Sequence, residues 1–322
     1  GTSMQKTVPV FFTADEGYVP FLSVALTSLI SHTDTSGNTQ YRIIIVGKGL
    51  SEESKTNLTN MATGNVSIEL YPMDADYIDS VSDDKNMLRA DYITMTIYFR
   101  LFIPEMFPDI DKAIYLDSDT VINTDVAELY SYDLGDNLVA GVHDVFMSAN
   151  KETTDYVENA LGMPVRDYIN SGMLLMNLKA MREEHFTEHF VTLLRKYHVE
   201  CAAVDQDYLN VICRGRILLL AREWNTMMTD GTAGSDHPKI IHYNLFHKPW
   251  HYRHAANADY FWKYAEDSVY YPELLSILES FTPDEVSSDE QKKARLIGQV
   301  VSIPGNDVNF KKLADRGVKI TL

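Results

Sequence analysis

The segment Lys112-Ala-Ile-Tyr-Leu-Asp-Ser-Asp-Thr-Val-Ile122 decides the fold class of this 322-residue chain. Its apolar half predicts a buried strand, and its acidic half places Asp117 and Asp119 where that strand leaves the sheet. Two carboxylates one residue apart repel each other, and a hard divalent cation that also binds phosphate oxygens is the usual reason to hold them together. The alternative is a pair of solvated turn aspartates.

Strand and helix patterns alternate before this segment. Apolar runs at 8–12, 41–46 and 66–71 predict strands, and helical spacing of apolar residues occupies 18–30 and 96–106. The alternation predicts an α/β fold, with a parallel sheet covered by helices on both faces. Because ligands bind beyond the carboxyl ends of such strands, we expect Asp15 and Asp117 to line one cleft.

The rest of the chain continues the pattern less regularly. Apolar runs at 138–142 and 171–177 predict further strands, and 182–197 predicts one amphipathic helix. The polar stretch 283–293 is interpreted as a break, which leaves a small appendage at 296–322.

Composition excludes several classes of function. Apolar residues form 45% and charged residues 23% of the chain, which is typical of globular proteins. The net charge of −18 argues against nucleic-acid partners and makes membrane association at most peripheral, because both need basic surfaces. Two cysteines, no leader-like segment and no run of roughly eighteen apolar residues lead us to expect a cytoplasmic chain.

A second group of polar residues follows the apolar pair Ile240-Ile241. His242 could supply a nitrogen ligand to the acid pair, and mixed carboxylate and imidazole ligation suits Mn²⁺. Lys248 could place a positive charge on a phosphate. The alternative is a hydrogen-bonded core histidine, with Trp250 packing a surface.

Other polar residues are ambiguous when each is taken alone. Arg100 could clamp a phosphate or a sugar hydroxyl, or it could form a surface ion pair. The segment Asn170-Ser171-Gly172 could be a plain turn before a strand. The segment Asp205-Gln206-Asp207 could position a substrate, or it could only start a helix with Asp205 as the N-cap.

Taken in order, these motifs resemble the retaining nucleotide-sugar glycosyltransferases of family 8. The resemblance covers roughly residues 8–265, and ordered motifs over that length are more specific than any single match. The matching segments are Phe11-Phe-Thr-Ala-Asp15 with Tyr18, Tyr98-Phe-Arg-Leu101, Tyr115-Leu-Asp-Ser-Asp119, Asp144, Tyr168-Ile-Asn-Ser-Gly172, Asp205-Gln-Asp207, and His242-Tyr243 with Lys248-Pro-Trp250.

The resemblance implies a GT-A fold, in which a Rossmann-like nucleotide-binding half shares a mixed central sheet with the rest of the domain. It implies a nucleotide-sugar half at about 4–125, an acceptor half at about 126–275, and a C-terminal extension at 276–322.

The resemblance also implies the site. Asp117, Asp119 and His242 would bind Mn²⁺, with Mg²⁺ as the alternative cation, and Gln206, Asp205 and Asp144 would be catalytic. Ala14, Asp15 and Tyr18 would contact uridine, and Lys248 the diphosphate. The full set of implied substrate-binding residues is Ala14, Asp15, Tyr18, Arg100, Asp117, Ser118, Asp144, Asn170, Ser171, Asp205, Gln206 and Lys248. Leu245 stands where family members often have glycine.

The implied reaction is transfer of galactose or glucose from a UDP-sugar to a glycan, glycolipid or glycoprotein acceptor. Retention of configuration leaves two routes open: attack on the face that UDP leaves, which we favour, or attack by a carboxylate nucleophile. Two other classes compete. The Asp117-x-Asp119 pattern also fits haloacid-dehalogenase-type phosphatases, and the chain could be a non-catalytic sugar-nucleotide-binding module.

Overall fold

The computed structural model describes residues 5–73, 96–228 and 236–322. Its strands are β1 Lys6–Asp15, β2 Thr39–Lys48, β3 Val66–Pro72, β4 Ala113–Leu116, β5 Thr120–Ile122, β6 Val139–His143, β7 Ile169–Met176, β8 Ile217–Leu219, β9 Thr226–Met227 and β10 Ile240–His242. Its α-helices are α1 Val19–Ile30, α2 Glu52–Thr59, α3 Phe99–Met106, α4 Val126–Tyr130, α5 Val145–Ala149, α6 Lys151–Tyr156, α7 Leu178–Glu183, α8 Phe186–Tyr197, α9 Val204–Cys213, α10 Ala258–Ala265, α11 Tyr271–Ser280, α12 Pro283–Ser302 and α13 Phe310–Asp315.

The central sheet has the strand order β3-β2-β1-β4-β7-β6-β8. Strands β3, β2, β1 and β4 run parallel, as the alternating sequence pattern predicts. The order reverses between β1 and β4, and a crevice opens at such a switch point beyond the carboxyl ends of the strands. Asp15 ends β1 and Asp117 follows β4, so both residues lie at this crevice.

Strand β7 makes the sheet mixed, because it runs antiparallel to both of its neighbours, β4 and β6. Met173 pairs with Leu116, the last residue of β4, so the first residues of β7 extend past the end of that strand. Asn170, Ser171 and Gly172 therefore do not form a plain turn, which was the alternative for this segment: all three belong to β7, which begins two residues before the predicted strand 171–177, and they reach the crevice as part of that strand.

Hydrophobic residues on the two faces of the sheet form two separate clusters. In β1, Phe11 packs on one face, whereas Val10 and Phe12 pack on the other. This alternation follows from the two-residue period of a strand, and burial on both faces explains why the strands are apolar runs. The central strands are rigid supports for the polar residues that follow them.

A smaller sheet with the order β5-β10-β9 lies next to the crevice. Strands β5 and β10 are antiparallel, and His242 pairs with Thr120. A third apolar cluster, which includes Phe21 and Trp250, packs around this sheet. The pairing of β5 with β10 brings the end of β10 to the acid pair, although about 120 residues separate them in sequence.

The C-terminal residues contradict the predicted polar break. Residues 283–293 are the first half of the twenty-residue helix α12, which begins with Pro283 and a capping box between Thr282 and Glu285. Polar residues dominate because most of the helix faces solvent, whereas Val300 is buried. The segment beyond it also contributes to the main core through Ile303, Phe310, Leu313 and Ile320. The division at residue 276 stays a prediction.

Two helix predictions also need correction. The segment 182–197 is not one helix, because α7 ends at Glu183 and α8 begins at Phe186, with His185 in the left-handed region at φ 55°. Asp205 is not the cap of α9, because Ala203 occupies that position and Asp205 lies in the first turn. Within the described ranges, no helix combines the length and hydrophobicity needed to cross a bilayer.

Candidate active site

The acid pair is held by backbone contacts to two neighbouring strands. The Asp117 amide donates a hydrogen bond to the Gly172 carbonyl of β7 at 2.9 Å. The Ser118 hydroxyl donates to the Thr13 carbonyl of β1 at 2.5 Å. The loop is therefore fastened on both sides, and Asp117 and Asp119 are not freely solvated turn residues.

His242 completes the group from the small sheet. Its Nε2 lies 3.3 Å from Asp117 Oδ2 and 3.1 Å from Asp119 Oδ1. Its Nδ1 lies 3.2 Å from Asn225 Oδ1, an oxygen that can only accept a hydrogen bond. Asn225 thus holds a proton on Nδ1 and turns Nε2 toward the acids, as a second group behind a metal-binding histidine does. Asn225 carries no sequence signal that predicts this role.

The three side chains fit a divalent cation. Their candidate ligand atoms all lie within 4.8 Å of one another. Asp119 Oδ1 and His242 Nε2 are buried and face each other at 3.1 Å, and within the described part of the chain neither atom forms a hydrogen bond with any other group. At Gly172, a β-carbon would lie 2.1 Å from His242 Cε1 and 2.7 Å from Asp117 Oδ2, so only glycine leaves room for the group. Two carboxylates and one imidazole suit a metal such as Mn²⁺.

Electrostatics around the acids favour ionised carboxylates. Burial opposes the charge of Asp117, but the Arg100 guanidinium outweighs burial and lowers the pKa of this residue. Burial likewise opposes the charge of Asp119, and Lys248 and His242 hold the pKa of Asp119 well below its usual value. Burial alone would lower the pKa of His242, yet Asp119 and Asp117 raise this pKa to about 9. A cation that binds here must displace the imidazole proton.

Arg100 connects the acid pair to α9. Its Nε lies 2.5 Å from Asp205 Oδ2, and its Nη1 lies 3.3 Å from Asp117 Oδ1. Nη1 also donates to the Ser171 carbonyl at 2.6 Å, and the guanidinium lies 4.5 Å from the centre of the Tyr115 ring. Arg100 is therefore a buried clamp between carboxylates and not a surface ion pair.

Lys248 forms an ion pair with Asp119, whereas Arg100 pairs with Asp117. Its Nζ lies 2.7 Å from Asp119 Oδ2 and donates to the Tyr243 carbonyl. Burial opposes its charge, but Asp119 and its other neighbours raise the pKa of Lys248. The ammonium group is therefore a fixed positive charge next to the metal-binding group.

A first cavity, of about 360 Å³, opens on the β1 side of the acid pair. Its lining includes Ala14, Asp15 and Tyr18 together with Ser118, which confirms that Asp15 and Asp117 share one cleft. Asp15 Oδ1 accepts a hydrogen bond from the Tyr18 amide at 3.0 Å. This contact holds the short turn that presents the exposed Tyr18 ring.

A second cavity, of about 290 Å³, lies on the β7 side of the acid pair. Its lining includes Arg100, Asp117, Asp119, Asp144, Asn170, Ser171, Gln206 and His242. Gln206 Oε1 accepts from the Ser171 amide at 2.9 Å, and Nε2 donates to Asp144 Oδ2 at 3.0 Å. Asn170 Nδ2 donates to the same Asp144 oxygen at 3.1 Å. These polar groups are fixed relative to one another.

Two supporting residues stand behind Gln206, and their role was not predicted. Gln206 Nε2 also donates to the Tyr168 hydroxyl at 3.0 Å, and that hydroxyl donates to Asp207 Oδ1 at 2.6 Å. Asp207 is fully buried and accepts from Tyr156 at 2.5 Å. Burial raises the pKa of Asp207 to about 7. The acidic triplet at 205–207 was recognised as a motif, but its third residue lies in the core behind the cavity.

The family model described as glycosyl transferase family 8 matches residues 9–254. The chain belongs to glycosyl transferase family 8. This assignment confirms the predicted family and enzyme class, so the phosphatase alternative and the non-catalytic module are not retained. The candidate metal-binding residues and the two cavities lie largely within the matched residues.

Relatives of this family 8 chain include bacterial glycosyltransferases. A protein of Haemophilus influenzae assigned as a glycosyltransferase is 29% identical over 227 residues, which cover 70% of this chain and 65% of that protein. The lipopolysaccharide 1,2-glucosyltransferase of Escherichia coli K12 is 25% identical over 256 residues, covering 75% of this chain and 72% of the relative. The chain thus spans about two thirds to three quarters of these proteins.

Solved structures confirm the predicted GT-A fold. The bifunctional glycosyltransferase WbbM superimposes with a TM-score of 0.73 at 25% identity, covering 87% of this chain and 53% of WbbM. The galactosyltransferase LgtC, solved with donor and acceptor sugar analogues, superimposes with a TM-score of 0.62 at 24% identity, covering 81% of this chain and 96% of LgtC. The mixed sheet and the crevice therefore belong to a fold shared with other glycosyltransferases.

Proposed function

We propose that this chain is a Mn²⁺-dependent, retaining hexosyltransferase that moves galactose or glucose from a UDP-sugar to a hydroxyl group of a glycan, glycolipid or glycoprotein. The convergence of Asp117, Asp119 and His242 at the junction of two cavities carries this proposal. The relative from Escherichia coli, named as a glucosyltransferase, supports hexose transfer. We also propose a cytoplasmic reaction, because both cysteines are free thiols.

The first cavity suits a nucleotide and the second suits a hexose. Asp15 offers a carboxylate for the base, and the exposed Tyr18 ring offers a stacking surface. The second cavity has carboxylate, amide and guanidinium groups, which match the hydroxyl groups of a sugar. A UDP-sugar laid across Asp117 and Asp119 would place its diphosphate at the proposed metal ligands.

Breaking the bond between the sugar and UDP develops negative charge on the diphosphate. The bound cation supplies positive charge that stabilises this leaving group. Lys248 supplies a second, fixed positive charge on the same side, and preorganised charges of this kind act most strongly in the transition state. Asp144 lies on the sugar side, where positive charge develops, and its negative charge stabilises the sugar ring.

The hydrogen bonds of the carboxylates support attack on the face that UDP leaves. Asp144 Oδ1 accepts from the amides of Phe146 and Met147, and Oδ2 accepts from Asn170 and Gln206. Asp205 is bound to Arg100. Carboxylates saturated in this way are weak nucleophiles, and the Gln206 amide is weaker still. In this route the incoming hydroxyl transfers its proton to a phosphate oxygen of the leaving UDP.

The test is release of UDP from UDP-glucose, UDP-galactose and their N-acetyl forms, measured with Mn²⁺ and with a chelator. We expect Mn²⁺-dependent release from one hexose donor and its loss in Asp119→Ala. Asp136→Ala is the matched control, because Asp136 is exposed and precedes β6, whereas the site residue Asp144 follows the opposite end of that strand. Release that persists in both Asp119→Ala and Asp117→Ala would overturn the metal assignment.

A further inference from the structure

We propose that the acceptor is an anionic saccharide, one that carries a phosphate or a carboxylate group, and that it binds between the loop 244–256 and helix α12. This inference rests on the proposed function, because it names the acceptor of that reaction. It depends on a third cavity that the assignments above do not use.

The third cavity has a volume of about 680 Å³, within the range of roughly 300–1,000 Å³ that small-molecule sites occupy. It shares Phe146, Asn244 and Leu245 with the hexose cavity, so the two spaces adjoin. Asn244 follows the metal-binding His242 by two residues. A saccharide in the third cavity can therefore reach a sugar bound in the second.

The lining of this cavity is basic, although the chain as a whole is acidic. Arg253 and Lys293 line it with His247, His251 and His254, and no acidic side chain is among its described lining residues. The sequence contains 46 acidic residues against 28 lysines and arginines, so this segregation of charge is marked. Arg253 and Lys293 are exposed, and neither forms an ion pair with an acidic residue of the described chain.

The walls of the cavity are held in place by contacts outside it. The His251 ring stacks on Phe281 with centroids 4.1 Å apart, and the Tyr252 hydroxyl donates to Asp289 of α12 at 3.0 Å. Burial lowers the pKa of His251, so this ring is neutral near pH 7. The positive charge available to a ligand therefore comes mainly from Arg253 and Lys293.

Helix α12 lines both the hexose cavity and the third cavity. Lys293, Leu296 and Val300 are spaced three and four residues apart, which places them on one face of the helix. Leu296 and Val300 line the hexose cavity, and Lys293 lines the third cavity. The C-terminal extension, whose role the sequence left open, thus forms part of the proposed acceptor site.

The negative net charge of the chain explains why the positive charges of Arg253 and Lys293 must lie within the cavity itself. A chain with a net charge of −18 repels anions at long range, but salt screens that repulsion beyond about 8 Å. Within that distance, Arg253 and Lys293 offer charge-assisted hydrogen bonds that a phosphate or a carboxylate accepts. A neutral saccharide gains less from either group.

The test measures binding of glucose, glucose 6-phosphate and glucuronate to the full chain by saturation-transfer NMR, with UDP and Mg²⁺ present on the donor side, because paramagnetic Mn²⁺ would broaden the sugar signals. We expect at least one anionic sugar to bind about tenfold more tightly than glucose. Arg253→Gln and Lys293→Gln should each remove most of that difference. Comparison of the affinities for glucose 6-phosphate and glucuronate shows whether the site prefers a phosphate or a carboxylate.

Arg295→Gln is the matched control, because Arg295 lies two residues from Lys293 on α12, is exposed and does not line the cavity. Equal binding of all three sugars, binding of none of them, or an equal loss in Arg295→Gln would overturn the inference. Calorimetry with UDP and Mn²⁺ alone tests the proposed function separately. If UDP does not bind, the proposed function fails, and the comparison of sugars without UDP still decides the inference.

Discussion

Gln206 donates a hydrogen bond from Nε2 to Asp144 Oδ2 at 3.0 Å, which joins the first turn of α9 to the residue that follows β6. The other end of the amide is fixed by the Ser171 backbone. Gln206 is therefore oriented before any substrate arrives. Its place in the second cavity, away from the Tyr18 side, separates it from the proposed nucleotide contacts.

This relationship predicts different effects on turnover and on nucleotide binding. Gln206→Ala should lower kcat for Mn²⁺-dependent UDP release by about 10²-fold, because an oriented polar group at the reacting sugar is lost. The Kd for UDP should change by less than about threefold, since Gln206 does not line the first cavity. Steady-state kinetics and calorimetry measure the two quantities. A loss mainly in UDP affinity would remove Gln206 from the catalytic group.

The geometry of His242 predicts that metal binding depends on pH. Its pKa of about 9 in the presence of the two carboxylates means that the imidazole is protonated near pH 7, and only the neutral ring binds a metal. Mn²⁺ affinity should therefore rise about tenfold per pH unit from pH 7 and level off above pH 9. The carboxylates do not contribute to this slope, because the pKa values of Asp117 and Asp119 are lowered.

Calorimetry of Mn²⁺ binding to chelator-treated protein, in two buffers that differ in ionisation enthalpy, measures the protons released. We expect about one proton per Mn²⁺ at pH 7. His242→Gln should abolish the release and weaken binding. Affinity that stays constant between pH 7 and pH 9 would contradict the assignment of His242 as a ligand.

The buried clamp at Arg100 predicts a large loss of stability. Arg100→Ala leaves Asp205 without its cationic partner and Asp117 with His242 alone, and loss of one partner of a buried pair costs roughly 3–5 kcal/mol of unfolding free energy. The control is Arg42→Ala, because the Arg42–Glu69 pair is half-exposed, and pairs of this kind contribute about 1 kcal/mol or less. Urea denaturation compares the two variants, and equal losses would contradict the buried-clamp interpretation.

The backbone conformation of Leu245, in the loop after His242, predicts that glycine at this position does not destabilise the chain. Leu245 has φ 64°, in the left-handed region that costs an L-residue about 1–2 kcal/mol, and its side chain is 43% exposed. Leu245→Gly should therefore keep or raise the free energy of unfolding, whereas the β-branched Leu245→Val should lower it. Leu219, 47% exposed in the extended strand β8, is the control, and Leu219→Gly should be destabilising. Denaturant titration checks the signs.

Leu245 also shows what a sequence comparison leaves out. Leu245 stands where family members often have glycine, and its backbone adopts a conformation that glycine would adopt easily. A residue type alone cannot reveal that, because backbone strain is maintained by the surrounding tertiary contacts.

The acid pair was predictable because its signal is local. An apolar strand followed at once by Asp117 and Asp119 specifies both a buried element and a charged end. The same holds for Asp15 after β1. In contrast, Asn225 supports His242 from 17 positions away, and no local pattern marks it. Tyr168 belongs to a family motif, but that motif does not reveal its contact with Gln206, 38 positions away.

The errors in helix prediction have a similar cause. The stretch 283–293 was interpreted as a break because it is polar, but a mostly exposed helix needs few apolar residues. Good helix-forming residues and the capping box of Thr282 and Glu285 provide the signal that was overlooked. Asp205 looked like a cap, and its carboxylate is bound to Arg100 instead.

The sequence by itself determined the α/β alternation, the family resemblance and the identity of the charged groups. Strand periodicity and motif order depend only on residues that are close together in sequence, so both can be recognised without the structure. Only the tertiary structure decided that His242 lies next to Asp117 and Asp119. The structure also decided that β7 runs antiparallel, which carries Asn170 past the end of β4, and that α12 lines two cavities. These outcomes depend on strand pairing and packing between distant segments, and the burial that selects one pairing exists only once the chain has folded.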